Sequence, residues 1–114
     1  MTEASFPLPQ YPHRPGAASP DGRYNGKVRI EGSCLYIQNE VERVLPVWPQ
    51  GQVRWSRPGE RFLFQGREYA NGSDIVVSGG EGRLPPGEAL DPKAFAVAPP
   101  RTCDAKLVWF VAPA

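Results

Sequence analysis

The chain has 114 residues, which supports one domain, with little apolar surface per residue to hold it together. Thirteen basic and 12 acidic side chains leave a formal charge of +1, so no global field draws it to nucleic acid or an anionic membrane. Fourteen prolines and 12 glycines among strand-like apolar runs indicate frequent turns rather than collagen or wholesale disorder.

Residues 1–25 contain Pro7, Pro9, Pro12, Pro15 and Pro20 and no sustained apolar period. Such a segment buries too little surface to offset its ordering entropy, so a disordered proline-rich tail is expected ahead of one β domain over 26–114. No apolar run approaches the length of a membrane span, and Met1 is not followed by a basic-then-apolar leader. Read literally the chain is soluble and untargeted; a mature domain whose leader is missing fits the same residues.

From Gly26 the pattern becomes period two. Lys27-Val28-Arg29-Ile30-Glu31 alternates strictly, as a half-buried strand does, and Gly32-Ser33 turns the chain into Cys34–Gln38. Asn39-Glu40 connects to a third strand, Val41–Trp48, in which Pro46 demands an edge or a bulge. Short strands follow at Val53–Trp55 and Arg61–Gln65, then Asn71-Gly72 as a turn and Asp74–Ser78 as a buried strand. Gly79–Pro100 reads as a long irregular loop with at most one helical turn, begun by Asp91 and Pro92. Lys106–Val111 is the last strand. The expected fold is all-β: a small antiparallel barrel, OB-like, or a sandwich of six to seven short strands.

Cys34 and Cys103 are too far apart for a CxxC motif, and the single histidine, His13, lies in the tail, so no metal site is expected. Buried free thiols or one disulfide remain. The disulfide is the expected state, because closing a loop of about 70 residues contributes on the order of 4 kcal/mol and would pin the last strand after the long loop. It implies an oxidising compartment, periplasm or cell surface, with the cytoplasm as the alternative.

Gly32-Ser33-Cys34-Leu35-Tyr36-Ile37, Leu45-Pro46-Val47-Trp48-Pro49-Gln50-Gly51, Phe64-Gln65-Gly66-Arg67-Glu68-Tyr69, Gly79-Gly80-Glu81, Cys103 and Trp109-Phe110-Val111 together resemble a pattern in small uncharacterised bacterial envelope proteins, many of them lipoprotein-like. The resemblance covers about Gly26 to Val111. It implies an extracytoplasmic all-β domain with the two cysteines paired, and it implies no activity.

Catalysis has few candidates. No histidine lies in the domain, GxSxG and HExxH spacings are missing, and Glu31, Glu60, Glu68, Asp74 and Glu81 are scattered as solvated charges usually are. No enzyme activity and no cofactor are expected. Arg54, Trp55, Arg57, Arg61, Phe62, Phe64, Arg67 and Tyr69 interleave cations with aromatics, as a single-strand nucleic-acid groove does. Period-two alternation writes the same string for any strand with one wet face, and that places Trp55, Phe62 and Phe64 in the core.

At least two of Trp48, Trp55 and Trp109 are expected in the core. Trp48, set between prolines, is expected to be partly exposed. Trp48, Arg57 and Arg61 are therefore the candidate binding residues, since aromatics and arginines carry most interface energy. These readings indicate a non-enzymatic extracytoplasmic interaction domain for a protein or cell-wall polymer, one variant being an inhibitor or immunity protein of a wall-degrading enzyme. The alternative is a cytosolic barrel that binds single-stranded nucleic acid.

Overall fold

The computed structural model describes residues 8–12, 22–56, 61–83, 95–104 and 106–113. Nine strands occur among them: β1 (Gln10–Tyr11), β2 (Gly22–Glu31), β3 (Cys34–Gln38), β4 (Arg43–Pro49), β5 (Val53–Ser56), β6 (Arg61–Phe64), β7 (Arg67–Ala70), β8 (Asp74–Arg83) and β9 (Leu107–Val111). β4, β3, β2, β8 and β9 are hydrogen-bonded in that order, and β9 returns to pair with β4. This closes a five-stranded barrel, the OB-like alternative among the expected folds. The closing β4–β9 pair is parallel, Leu45 facing Val108, whereas the other four barrel pairs are antiparallel. β5, β6 and β7 form a separate three-stranded meander between β4 and β8.

Two prolines lie in β4 without breaking it. Backbone polar groups alternate sides along a strand, and the Trp48 amide donates to the Pro9 carbonyl at 2.8 Å. Pro46 therefore lacks its N–H on that same side, between the β3 pairing at Val44 and the β1 pairing at Trp48, where no ladder partner waits. The expected edge-like tolerance is met by a gap in the pairing.

Two glycines set how tightly the barrel closes. Gly26 faces inward where β2 passes from β8 to β3, and a Cβ there would lie 2.7 Å from the Gln38 carbonyl oxygen. Gly79, at φ 147°, would drive a Cβ into the Phe110 carbonyl.

The chain departs from the expected boundaries in two places. β2 begins at Gly22, ahead of the expected start at residue 26. Residues 8–12, expected in a spacer, pack on the domain: Leu8 is buried, and Tyr11 Oη donates to the Val111 carbonyl at 2.6 Å. Isolated apolar residues among prolines carry no period, yet β1 finds ladder partners on β4 and the Val97 bridge. The expected irregular loop also starts later, because β8 runs on to Arg83 along β9. The helical turn expected at Asp91-Pro92 lies outside the described residues, and no helix occurs among those described.

Alternation divides the core in two. Val28, Leu35, Ile37, Val44, Trp48, Ile75, Val77, Trp109 and Val111 fill the barrel, joined by Phe62 and Phe64 from the small sheet. Cys34, Tyr36, Leu45, Val47, Cys103 and Val108 form a second cluster on the opposite faces of β3, β4 and β9.

Tyr24 is buried at one end of the interior cluster, against Trp109, and its hydroxyl has no partner in hydrogen-bond geometry. Burial, and then the negative charge of Glu42, push its pKa up to about 12 from 10.0. The folded state thus favours the neutral phenol. The stability linked to this phenol is fully present below pH 10 and is lost as pH rises through about 12, a loss that burial of the Tyr11 phenol adds to in the same direction. Tyr24→Phe should cost little at pH 7, since the hydroxyl lies near Glu42 and Asn39 without making a well-formed hydrogen bond, and should flatten the alkaline decline. Urea midpoints measured across that pH range check this; an unchanged decline would remove Tyr24 as its source.

Candidate binding surface

Of the sequence-derived candidates, Trp48 is fully buried. Its ring packs against Phe62 and Phe64, with centroids 5.2 and 4.8 Å away. The expected exposure fails because the prolines beside it extend β4 rather than turn it, which aims Trp48 into the barrel. Arg57 lies outside the described residues. Arg61 is exposed at the start of β6 and pairs with Glu68 at 2.8 Å. It belongs to the small sheet and is exposed where Trp48 is buried, so the structure does not bring Trp48 and Arg61 together on one surface.

The basic–aromatic run separates by alternation. Phe62 and Phe64 are buried, with Trp55 and Tyr69 half-buried against the same cluster, while Arg54 and Arg61 are exposed. Two of the three tryptophans are core, as expected, but the half-buried one is Trp55 and not Trp48. The carboxylates are dispersed: Glu31 meets Arg43, Glu68 meets Arg61, Asp74 meets Lys27, and Glu60 lies outside the described residues. Among the described residues no three His, Cys, Asp or Glu side chains group as metal ligands, and no helix is long and apolar enough to cross a membrane.

Cys34 and Cys103 form a disulfide with Cα atoms 5.5 Å apart, as expected. It anchors the segment before β9 over the second cluster. Around it, the Asp104 amide donates to Tyr36 Oη at 2.8 Å, and the Arg43 guanidinium lies 4.2 Å over the Tyr36 ring. Arg43 also reaches Glu31 and Asp104, at 3.3 and 3.6 Å. With Tyr11 and Phe95 packed on the same cluster, the outward faces of β3, β4 and β9 are covered.

The outward faces of β2 and β8 are open. Arg23, Asn25, Lys27 and Arg29 of β2 are exposed, as are Asp74, Val76 and Ser78 of β8. Val76 pairs across from Asn25 and is 57% exposed. Beside it stands the β3–β4 turn, where Asn39 Oδ1 accepts the amides of Val41 and Glu42 at 2.9 and 3.0 Å. Asn39 Nδ2 donates to the Asn25 carbonyl at 3.3 Å, tying that turn to the open wall. Val41 at its tip is 88% exposed. Period-two alternation predicts which β2 residues face out; it cannot tell which outward faces the rest of the chain will cover. No protein-family model matches the chain, and neither a curated protein nor a solved structure matches it.

Proposed function

We propose that this is a non-enzymatic extracytoplasmic binding domain whose partner docks on the β2–β8 wall and the adjoining β3–β4 turn. The observation that carries the reading is the uneven cover of the barrel. Its β3, β4 and β9 side is covered by a disulfide-anchored segment, while Val76 stands exposed on its β2–β8 side and Val41 on the adjoining β3–β4 turn, which is hydrogen-bonded to β2 through Asn39. Large exposed apolar side chains on an ordered surface suit a contact site. The disulfide supports an oxidising compartment and therefore an envelope or secreted location.

A photoreactive residue placed at Val76 or Val41 of the full chain, expressed with an export signal, should give discrete protein adducts in the envelope. The same residue at Arg54, on the outward face of the small sheet, should give none. Adducts from Arg54 alone, or trapping of an oligonucleotide in preference to protein, would overturn the reading, the latter in favour of a nucleic-acid barrel.

A further inference from the structure

We propose that the β2–β8 wall recognises an acidic protein surface, with Arg23, Lys27 and Arg29 as a cationic row and Val76 as its apolar contact. This rests on the docking reading above and names the partner's chemistry. Alternate residues of a strand share a face and repeat about every 7 Å, so the row extends about 20 Å from Arg23 to Arg29. Among the described residues neither Arg23 nor Arg29 has an acidic partner. Lys27 is held by Asp74 at 2.8 Å, on a pair whose side chains are 62% and 85% exposed. Glu31, at the end of β2, is turned to Arg43. Among the described residues the outward face of β2 thus presents two guanidinium groups without an acidic partner and one weakly masked ammonium, although the chain as a whole is almost neutral. Arg29 stands just beyond the β8 pairing and across from Tyr36 of β3.

The surrounding groups choose between polyanions. Single-stranded nucleic acid needs exposed rings on which bases stack, and the exposed large apolar residues among those described are Val41 and Val76, neither aromatic. An anionic glycan leaves Val76 without an apolar counterpart. An acidic protein surface carrying an aliphatic side chain satisfies both, an apolar centre inside a charged surround.

The test uses backbone amide NMR of the full chain with a synthetic glutamate-rich peptide bearing one central leucine. Shifts should concentrate on Arg23–Arg29 and Asp74–Ser78. Arg23→Glu combined with Arg29→Glu should weaken binding about tenfold, as expected for two exposed ion pairs reversed. Asp74→Asn should strengthen it roughly threefold by releasing Lys27, a gain that a purely structural ion pair would not produce. Replacing the peptide's leucine by serine should weaken it.

Shifts elsewhere, or binding indifferent to both substitutions, would overturn the proposal. So would tighter binding of oligothymidylate or polygalacturonate to the same residues. If the peptide fails while adducts still form at Val76, the docking wall stands and its acidic partner does not.

Discussion

Cys34→Ala combined with Cys103→Ala is expected to cost the protein about 4 kcal/mol of stability. The bridge closes a loop with a sequence separation of 69, and in the chain-entropy model that closure removes about this much freedom from the unfolded ensemble. Native-state packing adds to the effect. Residues 95–104 precede β9, and their attachment covers Tyr36, Leu45, Val47 and Val108. Without the bridge, this cover is held by the Asp104–Tyr36 hydrogen bond, the Arg43 contacts and the Val97 bridge. Urea unfolding of the oxidised protein and the double variant measures the difference. The oxidised protein should also show no titratable thiol when denatured without reductant. A loss below about 1 kcal/mol would mean that packing alone holds the segment, and the entropic account would fail.

Trp48→Ala should destabilise the domain by about 3–5 kcal/mol, the usual range for a large aromatic removed from a packed core. Trp48 is 0% exposed and joins the barrel to Phe62 and Phe64 of the small sheet. The cavity would therefore open at the junction of the two sheets. Hydrogen exchange should accelerate in β5, β6 and β7 more than in β2 and β8, whose ladder contacts are made elsewhere. The Trp48 Nε1 group has no hydrogen-bond partner, so Trp48→Phe gives back part of the lost volume without leaving an orphaned acceptor and should cost much less than alanine. If alanine is tolerated within about 1 kcal/mol, Trp48 belongs at the surface after all and its candidacy as a binding residue returns.

Local pattern carried much of the fold. The alternation at Lys27–Glu31 and the short apolar runs at Cys34–Gln38 and Leu107–Val111 specify strands, because burial on one face or both leaves that trace in any neighbourhood. The aromatic–basic run likewise announced which residues turn inward. The β6–β7 hairpin leaves little trace in that pattern. Its two-residue turn places Gln65 at φ 53° and Gly66 at φ 77°, and glutamine is an unusual first residue for a turn with positive φ at both positions. The glycine that follows it was the available signal.

What the amino-acid sequence determined by itself is what depends on near neighbours: the strands, their inward and outward faces, and a pair of cysteines with no metal partners. Tertiary structure decided everything that depends on which distant strands meet. The parallel β4–β9 pairing closes the barrel, and β1 docks beside β4 through hydrogen bonds from residues separated by almost 40 positions. Trp48 becomes core because that docking makes its proline-flanked segment a strand. The same reason governs the candidate surface: alternation turns the outward residues of β2, β3, β4, β8 and β9 away from the barrel alike. Among the described residues, 8–12 and 95–104 pass over the β3, β4 and β9 side, while the outward residues of β2 and β8 stay exposed.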